Sequence, residues 1–437
     1  MGKYFGTDGI RGRFGIELTP NLALRIGQSI KQILKEEKVV IGIDTRESGH
    51  ELMYGCASGA QSLGVDVMLA GVVSTPLIAH YSKEKQIVGV MITASHNPYH
   101  DNGIKVFYKG DKLTLSQEAE IEAFLDSPRD FQVTTLGKMF GGEEVFDSYL
   151  DLIESMEFDH IDLKVGYDSA NGANYLISKA IFDELITESY QIGNKPDGKN
   201  INKDCGSTHL EAIKNLVKEK KLDIGLSYDG DGDRILVVDE DGDEIDGDLL
   251  IYIIASYLQD KGELNKNTVV LTKMSNLGII KAFEERGIKA ILTDVGDKNV
   301  LEEMNKNDYS IGGENSGHII LKNYINTGDG LLVSMVLLRI LQESKKSLKE
   351  LTASINMWPQ VLYNIRTFNK EVIEDKRVLD VVNRIKEELK DNGKVLVRAS
   401  GTEPLVRVTL SCETQEQLDI YMDEIVSMIN IVKEEVL

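Results

Sequence analysis

The chain has 437 residues, 42% hydrophobic and 27% charged, which is enough apolar content for several buried cores and excludes global disorder. By length it should hold about three domains. Its 49 basic and 71 acidic residues leave a formal net charge of -22, a surface that repels nucleic acid and anionic membrane, so neither is expected as a partner. An anionic ligand would need a local cluster of arginine and lysine to overcome that background.

The first residues, MGKYFGTDG, contain no apolar run of the kind a secretory signal needs, and Gly6 stands where N-myristoylation requires Ser or Thr. Gly6 to Gly12, GTDGIRG, is a glycine-rich loop carrying Arg11, a weak signal by itself. Thr19 followed by Pro20 predicts a helix start, and Leu22, Ile26, Ile30, Ile33 and Leu34 then fall on one face. Cys56, Cys205 and Cys412 are odd in number and form no CxxC pair. They are expected as buried thiols in a reducing cytoplasm.

Short β-branched runs recur, each followed by a polar, glycine-containing loop: from Val39, Ile87, Leu163, Leu222, Val269 and Tyr309. Buried strands alternating with amphipathic helices predict α/β units with mixed, largely parallel sheets, whose ligands gather beyond the carboxyl ends of the strands. Three similar α/β units are expected, at 1–150, 151–250 and 251–365. The tail, 366–437, orders its elements as helix, strand, short loop, strand, helix, which predicts an antiparallel pair in a small α+β domain. The apolar stretches 249–258 and 331–341 are too short to span a bilayer and read as buried helices.

The second of these runs leads into TASHNPYHDNGIKVF, residues 93–107, where Ser95 directly precedes His96. The pair does not make a hydrolase triad, because neighbours on an extended chain point apart and no GxSxG elbow is present. An isolated loop serine is ordinarily just a hydroxyl.

In DGDGDR, Asp229, Asp231 and Asp233 alternate with glycines, so a tight loop can present three carboxylates to one hard cation such as magnesium. The same spacing fits the first, third and fifth positions of a calcium EF-hand, with Glu240 at the twelfth. Arg234 at the sixth position and strand-like flanks argue against it. A plain solvated turn remains the alternative, and DEDGDE at 239–244 reads as an acidic hairpin turn.

GGENSGH places Glu314, Asn315 and Ser316 among glycines, side chains suited to reading sugar hydroxyls but also common in ordinary loops. RASGTEPLVR brackets Ser400, Gly401 and Thr402 between Arg398 and Arg407, the local positive cluster that a phosphate would need. An exposed turn with unrelated arginines is the alternative there. A metal loop, an anion loop, a hydroxyl-reading loop and a serine followed by Lys105 together fit phosphoryl transfer to and from Ser95. Phosphate monoesters are so inert, with enzymatic accelerations up to ~10²¹-fold, that positioning and charge neutralisation must carry the catalysis.

In this order TASHNP, DGDGDR, GENSGH and RASGTEPLVR resemble the α-D-phosphohexomutase superfamily over nearly the whole chain. FGTDGIRG and PDGKNINKDCGSTH, 196–209, look most like its bacterial phosphoglucosamine mutase branch. The resemblance implies a four-domain layout around a central cleft and an isomerase that interconverts glucosamine 6-phosphate and glucosamine 1-phosphate, on the route to UDP-N-acetylglucosamine. It implies that Ser95 is a phosphoserine and joins Asp229, Asp231 and Asp233 around Mg2+. It also implies sugar contacts for Glu314, Asn315 and Ser316, and binding of the non-reacting phosphate by Arg398, Ser400, Gly401, Thr402 and Arg407. Arg11, His96 and Lys105 would lie beside Ser95, with Lys105 as general base and acid. A phosphosugar substrate and a sugar 1,6-bisphosphate intermediate are the expected ligands, with the C-terminal domain closing over the latter to retain it. The oligomeric state stays open, a homodimer included.

Two departures stand out. Asn315 replaces the Gln usual in GEQSGH, and VGDKN, with Lys298 and Asn299, replaces VGDRY, losing a planar guanidinium. The competing readings are a phosphoglucomutase or phosphomannomutase, a magnesium-dependent sugar phosphatase, and a non-catalytic sugar-phosphate binder. A phosphatase has no need of the Arg398–Arg407 loop. A silent binder would have lost Ser95 or a metal-loop aspartate.

Overall fold

The computed structural model describes residues 2–6, 8–127, 131–133, 135–399 and 405–435. Its contacts divide the chain into two units: Met1–Met274 with Lys289–Ala353, and Ser275–Ile288 with Ser354–Leu437.

The first unit carries three sheets. In the first, β1 (Phe5–Gly6), β2 (Gly9–Arg13), β3 (Lys38–Ile43), β4 (Asp66–Val72), β5 (Val88–Ile92), β6 (Asp101–Tyr108), β7 (Asp111–Lys112) and β8 (Met139–Gly141) are ordered β1-β2-β6-β5-β3-β4-β8, with β7 against β6. β5, β3, β4 and β8 are parallel, while β6 and β2 continue the sheet antiparallel. The central strands read as unbroken apolar runs because helices cover both faces; Val40, Ile41, Val90 and Ile92 are fully buried. The helix Pro20–Gln32 starts as the sequence predicts, with the Thr19 side chain accepting from the Leu22 N–H and Ile26 and Ile30 buried.

The second sheet contains β9 (Ile161–Asp168), β10 (Ile186–Ile192), β11 (Ile224–Tyr228), β12 (Ile235–Val238) and β13 (Glu244–Ile245), ordered β10-β9-β11-β12-β13. Its parallel core of β10, β9 and β11 is followed by antiparallel β12 and β13. DGDGDR is therefore the turn between antiparallel strands, with Tyr228 opposite Ile235, and the helical flanks of an EF-hand are absent. DEDGDE is the turn between β12 and β13, where Asp239 Oδ1 accepts from the N–H groups of Asp241 and Asp243.

The third sheet, β14 (Thr268–Thr272), β15 (Lys289–Thr293), β16 (Ile311–Gly313) and β17 (Ile319–Leu321), is ordered β15-β14-β16-β17 and is parallel except for β17. The turn from β16 to β17 holds Glu314 to His318. The two long apolar runs lie in the helices Gly247–Lys261 and Gly330–Ser344, where Leu250, Ile254, Leu332 and Leu337 are fully buried. Among the described residues, no helix is long and apolar enough to cross a membrane.

In the second unit β18 (Gln360–Arg366), β19 (Gly393–Ala399) and β20 (Leu405–Cys412) form an antiparallel sheet ordered β18-β20-β19. The helices Lys376–Leu389 and Gln415–Glu435 cover it, packing Ile385 and Ile425 against Val406, Val408 and Leu410. The β19–β20 pair is the antiparallel hairpin that the short loop predicted. The sequence reading did not anticipate β18, whose apolar run is only Val361 to Tyr363 and most of whose side chains are half-buried or exposed. Asn276 joins this unit by exchanging two hydrogen bonds with the backbone of Trp358, at 2.8 and 3.0 Å. Cys56, Cys205 and Cys412 are free and buried.

Candidate active site

The loop after β5 presents Ser95 at φ 53°, a left-handed conformation unusual for a residue with a side chain, and buries it to 1% exposure. Ser95 Oγ donates to Asp229 Oδ2 at 2.5 Å and lies 3.3 Å from His96 Nδ1. The nucleophile candidate of the first sheet thus meets the acidic loop of the second. At Gly230 a Cβ would sit 2.6 Å from the Ser95 carbonyl oxygen, so only glycine lets the two loops approach this closely.

Carboxylate oxygens of Asp229, Asp231 and Asp233 lie within 4.8 Å of one another, and all three residues are buried. Asp231 Oδ2 accepts from Thr75 Oγ1 at 2.5 Å and from Lys105 Nζ at 2.9 Å, and Asp233 Oδ2 accepts from the same Lys105 Nζ at 2.9 Å. Asp231 Oδ1 and Asp233 Oδ1 are buried without a hydrogen-bond partner. Buried anionic oxygens left without a proton donor are costly, and a hard divalent cation satisfies them. The donor set, all carboxylate oxygen on a tight turn, fits such an ion.

Electrostatics divide the three carboxylates. Burial, then the charges of Asp231 and Asp233, push Asp229 well above the usual carboxylate range. Burial also opposes ionisation of Asp233, but Lys105 and His318 outweigh it and hold that carboxyl well below the usual range. Lys105 is buried and would lose its charge on that account. Asp231, Asp233 and Asp8, the last at 3.0 Å, instead hold its ammonium well above its ordinary value. His96 is driven the other way, down to about 4, by burial and by the positive charges of Arg234 and Arg11. It is neutral near pH 7.

The sequence reading missed several neighbours of this cluster. Asp8 accepts from Arg11 at 2.5 Å and from Lys112 at 2.9 Å, and Lys112 also pairs with Asp297. His318 lies with Nε2 3.4 Å from Asp297 Oδ2 and Nδ1 3.8 Å from Asp233 Oδ1. Burial lowers its pKa, but these carboxylates reverse the effect and raise it. Both Asp8 and His318 stood inside motifs already picked out, GTDGIRG and GGENSGH. Their charge was the available signal.

A cavity of about 370 Å³ opens beside the cluster, lined by Arg11, His96 and Asp8 from the first sheet, Asp233 and Arg234 from the second, and Glu314 and His318 from the third. Glu314 Oε1 accepts from the Gly296 N–H at 3.0 Å, which fixes its carboxylate at the wall. Ser316 Oγ is buried with no hydrogen-bond partner. Asn315 is half-buried, and its carbonyl accepts from the Gly247 N–H at 3.1 Å. Lys298 pairs with Glu118 at 2.9 Å, and Asn299 Nδ2 donates to the Val295 carbonyl at 3.0 Å.

In the second unit, Arg398 on β19 and Arg407 on β20 are directly opposed across the strand pair and share a face of the sheet. Ser400, Gly401 and Thr402 lie outside the described residues.

Models of four domains match the chain in order: phosphoglucomutase/phosphomannomutase α/β/α domain I at residues 2–130, domain II at 147–242, domain III at 246–357 and the C-terminal domain at 362–428. The chain belongs to the phosphoglucomutase/phosphomannomutase family, whose members are phosphohexomutases, isomerases that transfer a phosphoryl group within a sugar phosphate. Within it, the chain is 46% identical to the phosphoglucosamine mutase of Bacillus cytotoxicus over 442 residues, covering 98% of each. The phosphoglucosamine mutase of Bacillus anthracis matches at 46% over 441 residues, again covering 98% of each.

Solved structures share the fold. A phosphoglucomutase/phosphomannomutase family protein from Burkholderia thailandensis superimposes with TM-score 0.81 at 22% identity, covering 98% of this chain and 97% of that one. The N-acetylphosphoglucosamine mutase of Aspergillus fumigatus, solved with GlcNAc-6P and magnesium, gives 0.69 at 16%, covering 98% and 96%.

Proposed function

We propose that the chain interconverts glucosamine 6-phosphate and glucosamine 1-phosphate through a phosphoserine at Ser95 and a glucosamine 1,6-bisphosphate intermediate. The observation that carries this reading is the 2.5 Å bond from Ser95 Oγ to Asp229, which seats a strained serine against three buried carboxylates beside the cavity. The full-length similarity to phosphoglucosamine mutases supports the choice of sugar. Asp229, Asp231 and Asp233 would hold magnesium together with the phosphate on Ser95. When bound, the ion would neutralise charge on the transferring phosphoryl group.

In the forward step a sugar hydroxyl oxygen bonds to the phosphorus, the bond from phosphorus to Ser95 Oγ breaks, and the hydroxyl proton leaves to a base. Lys105, held as an ammonium, donates the proton that the departing Ser95 oxygen needs. The amine left behind recovers a proton when phosphate returns to Ser95, so one group serves as acid and base. Arg11 and neutral His96 flank the serine. Glu314, Asn315 and Ser316 contact sugar hydroxyls, while Arg398 and Arg407, with Ser400, Gly401 and Thr402, bind the phosphate that does not react. Turning the bisphosphate exchanges the two phosphates between these roles. The buried thiol state of all three cysteines favours a cytoplasmic setting.

The test combines intact mass with a two-substrate assay. One phosphate on the wild type and none on Ser95→Ala, with turnover of glucosamine 6-phosphate, is the expected result. Turnover of glucose 1-phosphate alone would make the enzyme a phosphoglucomutase instead.

A further inference from the structure

The loop after β3 contributes a fully buried arginine that the reaction scheme leaves without a part. Arg46 is 1% exposed, and its Nε donates to Asp44 Oδ2 at 2.9 Å. The rest of the guanidinium faces the serine loop. Nη2 donates to the carbonyls of Ser95 and Asn97, both at 2.9 Å, and Nη1 donates to those of Pro98 at 2.5 Å and Asp101 at 3.2 Å. Three carbonyls of the serine loop and that of Asp101, the first residue of β6, are thus gathered on one planar fork.

The other side of Ser95 is tied to the same arginine. The Ser95 N–H donates to Thr93 Oγ1 at 2.9 Å, Thr93 Oγ1 donates to Asp44 Oδ2 at 2.7 Å, and Asp44 Oδ1 accepts from the Arg46 N–H at 3.0 Å. Both backbone polar groups of Ser95 therefore belong to a closed ring through Thr93, Asp44 and Arg46. Asn202 Nδ2 adds a donor to the Ser95 carbonyl at 2.8 Å. A residue with a side chain keeps a positive φ only where its surroundings over-determine it, and this ring does so.

We propose that Arg46, acting through Asp44 and Thr93, is a positioning residue that locks Ser95 in its left-handed conformation and so aims Oγ at the phosphoryl acceptor. The proposal rests on Ser95 being the phosphorylated residue. The requirement is for a rigid, many-donor fork: a lysine ammonium supplies charge but cannot hold four carbonyls in one plane. Phosphoryl transfer depends on in-line alignment, and a shift of about 1 Å in a reacting atom can cost about 10²-fold in rate.

Full-length wild type, Ser95→Ala, Arg46→Lys, Thr93→Val and Thr93→Ser would be compared with magnesium and glucosamine 6-phosphate. The readouts are kcat and KM per folded molecule, thermal melting, and serine phosphate by intact mass. Arg46→Lys and Thr93→Val should lower kcat by about 10²-fold, with KM kept within about three-fold and phosphate still on Ser95. Thr93→Ser, which restores the hydroxyl, should recover kcat to within about three-fold of wild type. A purely structural role would lower the melting temperature without this split or this rescue. If Arg46→Lys does not fold, the Thr93 pair decides. Wild-type kcat in both Arg46→Lys and Thr93→Val, or equal loss in Thr93→Val and Thr93→Ser, overturns the proposal. An inactive wild type or an active Ser95→Ala would instead overturn the phosphoserine reading beneath it.

Discussion

Ser95 and Asp229 stand 134 residues apart in the chain and are joined by one 2.5 Å hydrogen bond. That bond ties the loop of one sheet to the acidic turn of the next. Ser95→Ala removes the oxygen proposed to carry the phosphoryl group, so mutase activity should fall by at least about 10³-fold. Residual turnover above that level would mean that another residue accepts phosphate.

Ion binding can be read through stability. Magnesium at about a hundred times its dissociation constant should stabilise the wild type by about 2.7 kcal/mol, visible as a higher melting temperature that EDTA reverses. Asp229→Asn should abolish this response. Burial and two neighbouring carboxylates already disfavour ionisation of Asp229, so the same variant should melt higher than wild type in EDTA.

Asp329 offers a pH test beside the acidic loop, where the next residue's N–H, that of Gly330, donates to the Gly232 carbonyl at 3.0 Å. It caps the helix Gly330–Ser344 through the N–H groups of Leu331 and Leu332 and accepts from Tyr149 at 2.7 Å, while burial raises its carboxyl from 3.8 to about 6. A folded pKa above the unfolded one means that the folded state holds the proton more tightly. The stability this gives is complete below pH 3.8 and is lost as pH rises through about 6. Asp329→Asn keeps the cap without the charge. Its stability relative to wild type should therefore rise by about 2 kcal/mol between pH 4 and pH 7, measured by urea unfolding. A difference that does not change with pH would refute this.

Arg407 is a phosphate-binding candidate directly opposite Arg398. Arg407→Lys keeps the charge and loses the bidentate fork, so KM for glucosamine 6-phosphate should rise about ten-fold, or about 1.4 kcal/mol, with kcat little changed. An unchanged KM would remove Arg407 from the phosphate site.

Features written in consecutive residues were legible in the sequence. Thr19 and Pro20 announced their helix, and the glycines of DGDGDR with β-branched flanks announced a turn between strands. What escaped was pairing at long range. Lys105 gathers Asp8, Asp231 and Asp233, and nothing in its own neighbourhood forecasts three partners that arrive from two sheets. Arg46 is not singled out in the polar loop that follows the Val39 run, since its burial depends on β3 lying beside β5 in a parallel sheet. The loop at Ser400 to Thr402 lies outside the described residues.

The cavity wall draws on three sheets. Arg11 and His96, beside the serine, come from the first, Asp233 and Arg234 of the acidic turn from the second, and Glu314 with His318 from the third. On the proposed assignment, bond making and sugar choice fall on separable pieces of chain. A chimera that exchanges residues 246–357 for those of a relative with another sugar should inherit the donor's preference while keeping the host's serine and acidic turn. New specificities in such an architecture can arise by recombination without rebuilding the phosphoryl-transfer apparatus.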